Sequence, residues 1–241
     1  MNAISTFFLL LFLAGILGSC GQDKPSNDIT IGNVEKIHSA ILSEERRVWI
    51  HVPDDGQRAG RKYPVLYLMD GDAHFKSVVG LMHQLSSVNG NRICPKMIVV
   101  AILNTNRYRD LTPTKYIVKD TADATAPETG NGEPFTRFIA EELIPFVDEN
   151  YPTTSERTLV GHSLGGLMVI NTLARHSDLF DKYLSIDPSL WWNDGESLRQ
   201  YEEIIASKSL KGKSLFISIA NTISMDSANA VRDTSEATYH F

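Results

Sequence analysis

Three apolar runs along the chain show no alternation with polar residues: VLYLM at 65–69, MIVVAI at 97–102 and LFISIA from 215. A strand covered on one face alternates, whereas one covered on both reads as continuous hydrocarbon, as in a parallel sheet between helices. Shorter strands are expected at 34–41, 47–52, 158–160 and 183–186, with the seventh ending at 219. Ser43-Glu44-Glu45 turns the first pair into a hairpin. Between strands the period changes. Phe135, Phe138, Ile139, Leu143 and Phe146 fall at helical spacing, predicting a helix over 135–150. Two more are expected over 164–176 and 196–207. Alternating strands and helices predict a wound α/β fold. Segment 104–132, rich in Thr, Pro, Asp and Gly, has no helical pattern and leaves the end of a central strand. That is where open α/β sheets bind ligands and where long loops form pockets.

The first twenty residues differ from the rest. They carry no charged side chain, and 7–17 is nearly unbroken hydrocarbon, too short to cross a bilayer but suited to a signal-peptide core. Leu17-Gly18-Ser19-Cys20 resembles a bacterial lipobox, with Cys20 as the lipidated residue. An ordinary secretory signal with an incidental cysteine is the alternative. The expected organisation is a leader over 1–20, a polar tether over 21–30 and one α/β domain over 31–241. Export is therefore expected, to the periplasm or cell surface, with membrane contact only through the lipid. Cys94 then has no partner, and no disulfide is expected.

With 241 residues, 42% apolar and 22% charged, the chain suffices for one domain with a core. Its net charge of −6 is dispersed, which argues against a nucleic-acid partner.

The decisive stretch is Gly161-His162-Ser163-Leu164-Gly165-Gly166, placed directly after a short apolar strand and before a helical pattern. Gly-X-Ser-X-Gly in that setting is a nucleophile elbow. The chain turns sharply, strains the serine and exposes its hydroxyl. Gly161 and Gly165 are small because strand and helix crowd them, and Gly166 lets the helix lie close to the sheet. The N–H of Leu164, at the positive end of that helix, is placed to stabilise an oxyanion. A second donor is expected from the turn after strand 65–69, at Gly71 or Asp72. His162 is expected to point away from the serine.

Together VLYLMDGDAHF, NTNRYRDLTPT, FIAEELIPFVDENY, GHSLGG and IDPSLWWND resemble the esterase D / enterochelin-esterase-like family of α/β hydrolases, from Val34 to the end of the chain. The resemblance implies an α/β-hydrolase fold with a mostly parallel sheet flanked by helices. It also implies cleavage of siderophore, polysaccharide-linked or other small carboxylic esters by Ser163, without metal or organic cofactor. Arg107 and Trp192 would contact the substrate.

In this fold the acid and then the histidine follow the serine along the chain. Asp226 is the expected acid and Asp233 the second choice. Only His176 and His240 follow Ser163. His176 lies at the wrong end of the elbow's helix, and His240 is penultimate. In relatives the sequence continues into another helix, a last strand and a histidine loop. The resemblance thus implies a shortened domain lacking that strand, that helix and the general base, and hence weak or absent activity. An acyltransferase on the same fold and a non-catalytic ligand-binding lipoprotein are the competing readings.

Overall fold

A computed structural model of the chain describes residues 28–55, 60–116 and 128–220. It divides into two units, Met1–Thr30 and Ile31–Phe241, and the second carries the sheet and its helices.

The elements run β1 (Asn33–Ser39), β2 (Glu44–His51), β3 (Tyr63–Leu68), α1 (Gly71–Ser86), β4 (Ile98–Ile102), α2 (Arg107–Asp110) and α3 (Gly132–Phe138). A single π turn (Ile139–Leu143) leads into α4 (Ile144–Asn150), followed by β5 (Thr153–His162), α5 (Leu164–Arg175), β6 (Lys182–Ile186), α6 (Glu196–Ala206) and β7 (Ser214–Ser218). One seven-stranded sheet has the order β1-β2-β4-β3-β5-β6-β7. The hairpin β1-β2 joins β4 antiparallel, and every other pairing is parallel. The α/β architecture expected from the unbroken apolar runs is present.

Side chains of the central strands divide between two layers. Val65, Tyr67, Ile98 and Val100 face α3, α4, α5 and α6, packing on Phe135, Phe138, Leu167 and Tyr201. Leu66, Leu68, Val99 and Ala101 face α1, packing on Phe75 and Val79. From Leu164 to Ala174 every residue of α5 is buried. It is the central helix, with the candidate nucleophile at its head.

The structure departs from the sequence expectation in four places. The unbroken apolar run of β7 is not covered on both faces: Leu215 and Phe216 are exposed. The helix expected over 135–150 is interrupted by the π turn. Pro145 has no N–H to donate into the preceding turn, which widens instead of closing. Helix α1 was not foreseen. It fully buries Gly71, Phe75 and Val79, with Val78 and Met82 half-buried beside them, while Leu81 on the other side is exposed. And the segment after β4 contains the short helix α2, held by charges rather than by an apolar stripe.

Those charges form a compact network. Arg46, 1% exposed, donates to Glu44 Oε1 at 2.8 Å, Asp110 Oδ2 at 2.7 Å and the Leu103 carbonyl at 3.1 Å. Its guanidinium lies 5.2 and 5.7 Å from the ring centroids of Phe135 and Phe138. Arg109 bridges the same two acids, 2.7 Å from both Asp110 Oδ1 and Glu44 Oε1. Burial pushes the Glu44 carboxyl upward, but hydrogen bonds from Arg109 and Arg46 outweigh it and hold the group below its ordinary value of 4.5. A carboxyl whose folded value is depressed contributes its stability above the unfolded value and loses it as pH falls through the folded one. Between pH 5 and about pH 3 the parent is therefore expected to lose stability more steeply than Glu44→Gln. Denaturant melts across that window check this. Parallel curves would show that the network does not favour the ionised Glu44.

Candidate active site

The central strands stop in register, and the loops that follow them meet. Strand β5 runs straight into the turn at Ser163, whose φ of 58° and ψ of −117° no ordinary L-residue adopts without strain. Three contacts fix it there. The Ser163 N–H donates to the Ile186 carbonyl at 3.0 Å, and the Ser163 carbonyl accepts from Leu167 N–H at 2.9 Å and Ser189 N–H at 3.1 Å.

The glycines around it have steric reasons. A Cβ on Gly161 would sit 2.3 Å from the C and O of Gly165. One on Gly165 would meet Met69 Cβ at 3.1 Å and Asp70 Oδ2 at 3.2 Å. Gly166 lies against the Ile186 carbonyl and Pro188 Cα, so α5 rests directly on the loop leaving β6.

Beside the elbow, β3 ends where Met69 N–H donates to the Val160 carbonyl at 2.9 Å. Asp70 then takes a left-handed conformation, φ 52°, and α1 starts at Gly71. A side chain on Gly71 would come within 2.9 Å of Ala101, so only glycine lets this turn lie so close to β4. Two helix N-termini, α1 and α5, are thus neighbours across Met69, Asp70 and Gly165. First-turn N–H groups have no partner within a helix. Those of Gly71, Asp72 and Leu164 are therefore available to a negative oxygen, and the helix dipoles add to the attraction.

Asp70 is buried and does structural work. Its Oδ1 accepts from Arg107 Nε at 2.7 Å and Asn104 Nδ2 at 2.8 Å, and its Oδ2 from Arg107 Nη2 at 3.0 Å. The hydrogen bond to Asp70 raises the Arg107 pKa above its ordinary value. Arg107, expected to touch substrate, is here a bidentate partner of the acid at the head of α1. Trp192 is likewise taken up by the fold. It is fully buried, its indole N–H 3.4 Å from the Thr114 carbonyl and its ring edge-on to Tyr116 at 5.4 Å. Trp191 is the one that faces outward, 60% exposed.

His162 turns away from the nucleophile toward His74 of α1, ring centroids 5.9 Å apart. His176, at the far end of α5, hydrogen bonds Glu133 at 2.8 Å. Asp226, Asp233, His240 and Cys20 lie outside the described residues. Among the described residues no three potential metal ligands cluster. One site residue was missed in the sequence: Ser189, whose Oγ is 3.1 Å from Ser163 Oγ. It stands in IDPSLWWND, a segment singled out for its tryptophans rather than for its serine.

The model of the family described as "Putative esterase" matches residues 39–237. The chain belongs to that family. Among its esterase relatives is the ferri-bacillibactin esterase BesA of Bacillus subtilis, 32% identical over 199 residues, or 75% of this chain and 67% of the relative. The siderophore enterobactin esterase of Emericella nidulans is 30% identical over 170 residues, 65% of this chain and 56% of that protein. An IroE-like serine hydrolase from Shewanella oneidensis superposes with a TM-score of 0.73 at 34% identity, covering 77% of this chain and 60% of the other. The chain thus spans less than two thirds of the second relative and of the solved structure.

Proposed function

We propose that this member of the esterase family hydrolyses carboxylic esters through an acyl-enzyme on Ser163, with siderophore esters as the favoured substrates. The observation that carries the reading is the strained serine at the head of a buried helix, beside a second helix start. The substrate class is supported by the two relatives named for ferri-bacillibactin and enterobactin. In the proposed reaction Ser163 Oγ attacks the ester carbonyl and gives its proton to a general base. The carbonyl oxygen takes negative charge against the amides of Leu164 and the α1 turn, the alcohol leaves, and water then releases the acid. Asp226, and His240 as a replacement base, are the candidates for assisting groups. Secretion and lipidation at Cys20 belong to the same proposal and are supported by the sequence of residues 1–20.

The test is a fluorophosphonate, which bonds only to an activated serine. Incubated with the purified protein, it is expected to modify Ser163 with near one-to-one stoichiometry, as located by peptide mass spectrometry. The Ser163→Ala protein should take up none. Hydrolysis of p-nitrophenyl acetate and of a catecholate triester should disappear with the same substitution. A folded parent left unmodified would overturn the catalytic reading and favour a ligand-binding role.

A further inference from the structure

We propose that Ser189 is a second catalytic hydroxyl, which donates a hydrogen bond to the Ser163 oxygen while that oxygen bonds to, and later leaves, the acyl carbon. The inference rests on the serine-esterase reading above and assigns one more residue to it.

Ser189 is placed by construction rather than by chance. Its own N–H donates to the Ser163 carbonyl at 3.1 Å, so the two serines are tied backbone to backbone as well as through their hydroxyls. On one side Pro188 presses on Gly166 of the elbow helix, 3.1 Å from where a Cβ would stand. Before it, Asp187 takes a left-handed φ of 44°. The Asp187 N–H donates to the Ser218 carbonyl of β7, and its carboxylate accepts the N–H of Ala220 at 3.0 Å. After it, the Ser189 carbonyl accepts Trp192 N–H at 3.1 Å, and Trp192 is locked in the core. The elbow, β7 and the turn at Trp192 all hold this short loop. Ser189 is 5% exposed, so bulk water has little access to take over its hydroxyl's role.

The position has a chemical meaning. The sheet order β3-β5-β6 puts the α1 turn on one side of the elbow and the Ser189 loop on the other. The amides of Gly71 and Asp72 therefore serve the carbonyl oxygen of the substrate, while Ser189 faces the nucleophilic oxygen itself. In the resting protein either hydroxyl can donate to the other. As Ser163 attacks, its proton passes to the general base and the Oγ–carbon bond forms. The carbonyl electron pair moves onto the carbonyl oxygen. From then on Ser163 Oγ has no hydrogen, and only Ser189 can donate. When water later attacks the acyl-enzyme, the Oγ–carbon bond breaks and its electron pair returns to Oγ, which is reprotonated by the base. In both steps negative charge passes through Oγ, and a fixed donor in a site shielded from water favours that charge without reorganisation.

The experiment compares the parent with Ser189→Ala, Ser189→Cys and Ser189→Thr in the full chain. The readouts are kcat and KM on p-nitrophenyl acetate and the second-order rate of fluorophosphonate labelling. Thermal melting confirms folding. Ser189→Ala is expected to lower kcat and the labelling rate together, by about tenfold to a hundredfold, the range of a charge-assisted hydrogen bond. KM should move by less than about threefold. Ser189→Thr, which restores a hydroxyl, should recover most of the loss. Ser189→Cys fills the space with a weak donor and should remain slow, so it carries the test if the alanine protein fails to fold. Labelling of a folded Ser189→Ala at the parent's rate or faster would overturn the proposal, since a hydroxyl that merely accepts from Ser163 competes with the base. So would a loss confined to KM, or a threonine variant no better than alanine. A parent that is not labelled at Ser163 at all overturns the esterase reading, and this assignment falls with it.

Discussion

Ser163→Gly is expected to make the protein more stable while lowering ester hydrolysis by at least about three orders of magnitude, and by up to about 10⁶ if the full catalytic set is assembled. The two effects have one origin. With φ at 58° and ψ at −117°, Ser163 occupies backbone space that glycine enters freely and a residue with a Cβ does not. Such strain costs on the order of 1–3 kcal/mol. Glycine removes it, at an entropic cost in the unfolded chain of roughly 0.5–1 kcal/mol. A net gain of up to about 2 kcal/mol should remain, read as a higher denaturant midpoint at unchanged slope. Ser163→Ala makes the comparison informative, because it is as inactive but keeps the Cβ and hence the strain. Equal midpoints for the two variants would mean that the elbow stores no strain, and the strongest structural argument for a nucleophile at this position would go with it.

Gly161→Ala should do the opposite and damage fold and site together. Its Cβ would stand 2.3 Å from the C and O of Gly165, and 3.0 Å from that residue's Cα. These are backbone atoms with no rotamer to change, and Gly165 cannot retreat because Met69 and Asp70 hold it from the other side. The turn must open, which takes α5 off the sheet. Since α5 is buried along nearly its whole length, a loss of at least about 3 kcal/mol is expected, beyond most single overpacking substitutions. Serine labelling should vanish even in any fraction that remains soluble. Gly80 of α1 supplies the control. A Cβ there meets nothing within 4 Å, so Gly80→Ala should be neutral or stabilising by up to about 1 kcal/mol. A Gly161→Ala protein that melts within 1 kcal/mol of the parent would contradict the elbow geometry.

What could be read in the sequence and what could not divide along physical lines. Strands β3 and β4 were legible because being covered on both faces writes itself as an unbroken apolar run, whereas the same kind of run in β7 leaves Leu215 and Phe216 exposed. The elbow was legible because three glycines and a serine have steric reasons to stand together after a strand. Helix α1 was missed although Phe75, Val78, Val79 and Met82 fall at helical spacing, because the Asp70-Gly71-Asp72 segment that opens it reads as a turn offering backbone donors. The partners that Arg107 and Trp192 have in the fold were out of reach of the sequence for the same reason. Composition marks an arginine and a tryptophan as able to bind ligands, but not which pair of neighbours already claims them. Asp70, the Thr114 carbonyl and Tyr116 are claims that only folding reveals. Ser189 was missed because a serine carries no pattern of its own.

The strand order also sets a sequence of events as the chain leaves the ribosome. Strand β3 is flanked by β4 on one side and β5 on the other, so Val65 must find both Ile98 and the far more distant Arg157. Until β5 has emerged, the β1-β2-β4-β3 half presents a ready edge at β3 and an uncovered apolar face where α5 will lie. Pairing across such distances is slow, and an open edge in the meantime invites pairing with other chains. The arrangement that places the nucleophile at the middle of the sheet also makes its strand a late arrival. Synthesis that is fast relative to docking should therefore favour aggregates, and slower, cooler expression should favour a soluble domain.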